Sequence, residues 1–375
     1  MSTTRTLCPL TIGNHTSRLP FVQGGMGVGI SLAGLASAVA NEGGVGVIST
    51  AIIGFAETDL HDNYREANIR ALRREIRTAR TRTKGVLGVN IMVALTNYED
   101  MVRTAAEEGI DIIFCGAGLP LDLPALLPPD SACALAPIIS SARAAKVLAK
   151  RWLSRFGRLP DAFVLEGPLA GGHLGFSREQ VTDPGFCLTK LLGEVLEALQ
   201  PLEQKHGVQI PVIAAGGIYT GQDISDMLGL GAAGVQMGTR FVTTHECDAD
   251  PKFKEAYLAA KEQDLVIIDS PVGLPGRSLQ NAFLSAVSQG KKKPFKCPYH
   301  CLVTCKQKDS PYCIAAALIN AVRGRLEKGF AFAGQNAFRS EALVSVKCLI
   351  RSLLEEFQAA LPLTQAASVN CAAAR

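Results

Sequence analysis

The sequence predicts a (β/α)8 TIM barrel with a C-terminal, cysteine-containing helical and loop elaboration. Three observations predict it. Short apolar runs alternate with stretches of helical period, the pattern that builds parallel βαβ units. Glycine-rich motifs recur directly after those runs, where the strand ends of a barrel converge on one face. The chain of 375 residues also exceeds the roughly 250 that a barrel needs, leaving a surplus for an elaboration.

The eight apolar runs occupy residues 19–23, 45–50, 86–93, 110–115, 134–140, 162–166, 211–215 and 234–238. Helical patterns lie between them at 32–41, 97–108, 142–156 and 188–206. An open, doubly wound sheet is the alternative architecture. The barrel is assigned to residues 15–243 and a cap or arm to 244–361. That cap has a loop-rich stretch at 269–311 and helical patterns at 314–328 and 341–357. The alanine-rich tail, 362–375, is expected to be disordered.

Apolar residues make up 47% of the chain and charged residues 19%, which fits a packed globular enzyme and argues against disorder. A net charge of +4 is too small to imply nucleic acid. Between Arg65 and Lys84 lie eight basic residues at helical spacing, with Ala, Leu and Ile between them, which reads as a solvated helix face. The run Lys291, Lys292, Lys293 could attract an anionic substrate. The N-terminus shows no secretory signal, and nine glycines interrupt the apolar stretch 21–55, so no membrane span is expected. The expected location is cytoplasmic.

The candidate chemistry lies at the predicted strand ends. Gly216-Gly217 closes the seventh run and Gly238-Thr239 the eighth, the two loops where barrels frequently bind phosphate. Glycine lets backbone N–H groups approach phosphate oxygens closely. After the sixth run comes Gly171-Gly172-His173, where flanking glycines leave room for a ligand beside the imidazole. A pKa near 6.5 suits that ring to proton transfer at neutral pH.

These motifs carry a resemblance. Gln23-Gly-Gly-Met26-Gly, Gly88-Val-Asn90-Ile-Met92, Ala170-Gly-Gly-His173-Leu-Gly175, Ala214-Ala-Gly-Gly217-Ile and Gly234-Val-Gln-Met-Gly-Thr239-Arg-Phe are similar to the nitronate monooxygenase family. The same superfamily includes flavin-dependent enoyl-ACP reductases. The resemblance spans roughly residues 19–285 and implies an FMN over the barrel mouth. By it, Gly24, Gly25, Met26 and Asn90 contact the flavin, with Gly171 and Gly172 beside it. Gly216, Gly217, Gly238 and Thr239 hold the phosphate, and His173 is the catalytic histidine. Gln236 joins the cofactor-binding set, at a position where relatives often carry a small residue.

The resemblance implies oxidation of nitronates or nitroalkanes with O2, His173 acting as base toward a neutral nitroalkane or positioning its anion. NAD(P)H-dependent reduction of an enoyl thioester or other electron-poor alkene is the alternative. A third reading is a flavin and iron–sulfur redox or sensor protein with a redox partner protein. Its support is four of the eleven cysteines, Cys297, Cys301, Cys305 and Cys313, which lie within seventeen residues. Four such thiols could hold a [4Fe–4S] cluster or zinc, and His300 stands among them. Arg277 is placed either to meet an anionic substrate group or to cap a turn. The partners expected are a small-molecule substrate and a second copy of the chain in a homodimer.

Overall fold

Alternation of side chains along short strands generates the barrel. The computed structural model describes residues 7–291, 296–297 and 299–360. Lys292, Lys293 and the tail at 362–375 lie outside them. Eight parallel strands appear: β1 (Phe21–Gln23), β2 (Gly46–Ser49), β3 (Leu87–Met92), β4 (Ile112–Gly116), β5 (Ala134–Ile139), β6 (Phe163–Glu166), β7 (Val212–Ala215) and β8 (Gly234–Met237). Each falls within one or two residues of its predicted run. Neighbours pair in sequence order, β8 pairs with β1, and a parallel bridge between Val22 and Val45 joins β1 to β2 and closes the ring.

The period of two along a strand sorts side chains between two cores. Val22, Val47, Ile112, Phe114, Ala136, Val164 and Ile213 fill the barrel interior. Their neighbours, such as Ile48, Ile113, Leu135, Phe163 and Leu165, pack outward against the helices. Leu10 and Ile12, from an N-terminal hairpin (Leu10–Ile12 with His15–Ser17), join the interior cluster.

Around the sheet run α1 (Ala33–Asn41), α2 (Tyr64–Arg82), α3 (Tyr98–Glu107), α4 (Ala142–Phe156), α5 (Leu188–His206) and α6 (Gly221–Gly229). Ser141 caps α4 by accepting the Ala144 N–H, and Gly157 ends it in the left-handed conformation. After β4 the described chain forms only a 3-10 turn, Leu123–Leu126. Pro120, Pro124, Pro128 and Pro129 crowd that connection and remove helix donors. Trp152 of α4 is fully buried there, and its indole N–H donates to the Pro120 carbonyl at 3.0 Å.

The basic face of α2 is a network of ion pairs. Arg65 pairs with Asp100, Arg70 with Asp59, Arg73 with Glu107, Arg74 with Glu57, Arg77 with Glu108 and Arg80 with Asp111. These charges bind the protein's own carboxylates.

Beyond β8 the chain forms an antiparallel pair, β9 (Leu265–Asp269) and β10 (Pro275–Leu279), then α7 (Ile314–Val322) and α8 (Val346–Ala360). The sequence assigns 346–360 to the elaboration, yet α8 packs on α6 and α1. It occupies the position of the barrel's eighth helix. Its buried stripe, Leu349, Ile350, Leu353 and Phe357, covers that seam, and Gly221 meets the α8 backbone so closely that a Cβ would overlap it.

Candidate active site

One cavity opens at the C-terminal ends of the barrel strands. All twelve predicted cofactor and catalytic residues line it: Gly24, Gly25, Met26, Asn90, Gly171, Gly172, His173, Gly216, Gly217, Gln236, Gly238 and Thr239. Its void, including the opening to solvent, is about 1670 Å³.

Glycine is required at several of these positions for stated reasons. A Cβ at Gly25 would overlap the Asn90 side chain, and one at Gly24 would come within 3.1 Å of Gln236. Gly216 and Gly217 both adopt positive φ, 93° and 89°, where a side chain is strained. The consequence is a backbone-lined cradle at the ends of β7 and β8.

Sequence reasoning missed the third wall of that cradle. Gly334 donates its N–H to Thr239 Oγ1 at 3.0 Å, and Asn336 Nδ2 donates to the Gly217 carbonyl at 2.7 Å. A Cβ on Gly171 would stand 2.5 Å from the Ala333–Gly334 backbone. Residues 333–336 are remote in sequence from both phosphate loops. Their only local signal was Gly334-Gln335-Asn336, a turn-like triplet.

Glu166 was also missed. It ends β6, lines the cavity, and burial pushes its carboxyl pKa up to about 7. Its position beside Ala215 of β7, one residue before the cradle, puts a hydrogen-bonding carboxyl next to the proposed phosphate loops.

His173 sits where the barrel meets the elaboration. The two-residue strand Gly172–His173 pairs with β10, placing His173 opposite Gly276. The ring packs edge-on against Phe332, centroids 4.9 Å apart, and its Nε2 lies 2.7 Å from Ser270 Oγ. Burial pushes the imidazole pKa down to about 4, so the ring is neutral at pH 7. On the far side of the loop Arg277 is buried, and its guanidinium donates to the carbonyls of Pro168 and Ala170. Arg277 therefore fixes the loop that carries His173. It is neither a surface turn cap nor a lining residue of the cavity.

Past His173 the cavity walls become apolar: Val28, Ile52, Val272, Leu302, Ile314, Ala315, Leu318 and Phe332. The segments bearing them after residue 270 belong to the elaboration, which roofs the barrel mouth.

The four clustered cysteines do not assemble a metal site. Among the described residues no group of three or more His, Cys, Asp or Glu is placed to hold an ion. The four thiols lie near one another, Cys297, Cys305 and Cys313 each adding to the raised pKa of Cys301. Cys301 is buried in an apolar cluster with Val28, Ile52, Tyr299 and Ile319, and burial raises its pKa to about 12. Cys297 Sγ accepts the His300 N–H, Cys305 lies 3.9 Å from Ser310 Oγ, and Cys313 immediately precedes α7. The expected iron–sulfur or zinc ligation is therefore not shown among the described residues.

A parallel barrel with a glycine cradle at its last two strands and a buried neutral histidine at its mouth is an architecture in which those two loops frequently bind phosphate. The chain belongs to the nitronate monooxygenase family, a flavin-dependent oxidoreductase family whose model matches residues 9–356. Among its relatives, the Mycobacterium tuberculosis "(3aS,4S,5R,7aS)-5-hydroxy-7a-methyl-1-oxo-octahydro-1H-indene-4-carboxyl-CoA dehydrogenase" is 30% identical over 273 residues. That match covers 73% of this chain and 66% of the relative. A probable nitronate monooxygenase of Staphylococcus saprophyticus is 36% identical over 129 residues, 34% of each chain. The chain thus spans about two thirds of the first relative's length and a third of the second's. The structure of FabK from Thermotoga maritima superposes with a TM-score of 0.69 at 28% identity, covering 91% of this chain and 93% of that one. Among the described residues no helix is long and apolar enough to cross a membrane.

Proposed function

We propose that this chain is an FMN-dependent oxidoreductase that oxidises nitronates carrying a bulky apolar substituent, with O2 as acceptor. The observation that carries the reading is the junction at His173. A glycine-lined cradle fit for a phosphate lies on one side of it and an apolar chamber on the other. The cradle fits FMN because its backbone walls leave no room for a Cβ. The backbone amides of Gly216, Gly217 and Gly238, with the Thr239 hydroxyl, would hold the phosphate. Gly24, Gly25, Met26, Asn90 and Gln236 would flank the ring, and Glu166 is placed to accept from polyol hydroxyls. When bound, the flavin supplies the electron-transfer chemistry.

The chain's own contribution is positional. Phe332 and Ser270 hold the His173 ring, the apolar roof excludes water from the substrate's body, and the neutral imidazole meets its polar group. A second reading, redox chemistry on an acyl thioester with NAD(P)H, is favoured by the apolar walls of the chamber past His173. The indene-carboxyl-CoA dehydrogenase relative supports it as well.

Purified holoenzyme given an alkyl nitronate without NADH should consume O2, and longer alkyl chains should lower KM. Absence of uptake, with NADH oxidation stimulated by an enoyl thioester, would replace the first reading with the second. Failure to retain FMN in a folded sample would overturn both.

A further inference from the structure

We propose that Ser270 fixes His173 in the tautomer whose Nδ1–H faces the cavity, so that the ring offers a hydrogen-bond donor to an anionic oxygen of the substrate. The site thereby selects substrates that arrive as oxyanions, such as a nitronate or an enolate, over neutral carbon acids. This rests on the proposed oxidoreductase reading for the substrate, but the tautomer itself follows from the geometry.

Ser270 occupies the turn between β9 and β10 and is buried, 7% exposed. Its hydroxyl oxygen accepts the Val272 N–H at 3.3 Å and lies 2.7 Å from His173 Nε2. A serine hydroxyl has one proton to give. Among the described residues the partners of Oγ are that N–H, which cannot accept, and the imidazole nitrogen. If Nε2 carried the ring proton, both of those partners would be donors and the hydroxyl proton would be buried without an acceptor. That arrangement is disfavoured by about tenfold or more. The hydroxyl therefore donates to Nε2, and in the neutral ring the proton resides on Nδ1.

Nδ1 makes no hydrogen bond to the described residues, yet it is absent from the buried polar atoms that lack partners. His173 lines the cavity whereas Ser270 does not. The free nitrogen is thus accessible from the cavity, and Ser270 stands behind the ring. A neutral imidazole presenting N–H cannot take a proton from carbon at that atom. It can stabilise charge on an oxygen, in the manner of an oxyanion-hole donor. Ser270 is a positioning residue, and His173 is the group that touches substrate.

The test uses holoenzyme labelled with 15N-histidine, the His173 signals being assigned by their loss in His173→Gln. The expected spectrum shows Nδ1 protonated and Nε2 unprotonated. Ser270→Ala should yield a mixture of tautomers, and Ser270→Thr should restore the wild-type pattern. In anaerobic titrations followed by the flavin absorbance, Ser270→Ala should weaken binding of the propyl-1-nitronate anion about tenfold. Binding of neutral 1-nitropropane should be unchanged. Protonated Nε2 in the wild type, or equal losses for anion and neutral form, overturns the proposal. Nδ1–H in an enzyme that oxidises no nitronate and reduces no thioester would sink the functional reading while leaving the tautomer assignment intact. Turnover with Nε2–H would do the reverse.

Discussion

Two buried groups in one cavity titrate in opposite senses, and replacing one should expose the other. Burial raises the Glu166 pKa from 4.5 to about 7 and lowers that of His173 from 6.5 to about 4. Between pH 4.5 and 7 the folded protein holds a proton on Glu166 that the unfolded chain has released, so this group's contribution to stability falls as pH rises. Between pH 4 and 6.5 the unfolded chain holds a proton on His173 that the folded protein lacks, so this contribution rises with pH. Each slope approaches about 1.4 kcal/mol per pH unit at full effect, and over pH 4.5–6.5 the two nearly cancel. Glu166→Gln removes the first and leaves the second. Acidification from pH 7 to pH 5 should then destabilise the variant by about 2 kcal/mol relative to wild type, after discounting for water in the cavity. Urea unfolding of both proteins at the two pH values reads this difference directly. Parallel pH profiles would show that Glu166 does not titrate as its burial demands. The same result would remove the reason for calling it a carboxyl that holds its proton toward neutral pH beside the cradle.

Further outcomes follow from single contacts. Arg277→Met leaves the Pro168 and Ala170 carbonyls without their donor, and should cost about 2 kcal/mol in thermal unfolding. It should also lower turnover more than flavin content, because it frees the His173 loop and not the cradle. Gly171→Ala drives a Cβ into the Ala333–Gly334 backbone, so purified protein should retain substoichiometric flavin by absorbance. An unchanged flavin-to-protein ratio would show that residues 333–336 do not shape the cradle. Cys187 is exposed and its thiol pKa is lowered by the Thr189 hydroxyl, whereas burial raises those of Cys301 and Cys313. Brief alkylation at neutral pH should therefore label Cys187 first in a peptide-resolved mass spectrum; early labelling of Cys301 would contradict its burial.

The parts of the site legible in the sequence are those whose physics is local. Gly216-Gly217 and Gly238-Thr239 announce tight backbone turns after apolar runs, and topology alone brings them together. Arg65 to Lys84 reads as a solvated face because its helical period is intact, and the half-buried carboxylates that pair with it come from neighbouring segments. Gly334 and Asn336 were illegible because their roles depend on a chain reversal of about a hundred residues. Glu166 was passed over because a strand-end carboxylate has no pattern of its own; burial by its neighbours makes it unusual. The cysteines are a different case: close spacing suggests convergence, and the thiols of Cys297, Cys305 and Cys313 do lie near enough to Cys301 to raise its pKa, yet no metal-binding group is found among the described residues.

The placement of His173 ties the two parts of the chain into one chemical unit. The barrel supplies the histidine on the loop after β6, yet every group shown to hold its ring comes from the elaboration: Ser270 between β9 and β10, Gly276 on β10, and Phe332 beyond α7. The apolar roof of the substrate chamber has the same origin, through Val272, Leu302, Ile314 and Leu318. The cradle for the cofactor, by contrast, is built mainly from barrel strand ends, with only 333–336 added from outside. Substitutions in the elaboration should therefore alter substrate choice and the protonation geometry of His173 together. Outside residues 333–336, the cofactor should stay bound through such changes, which lets one barrel serve relatives with different substrates.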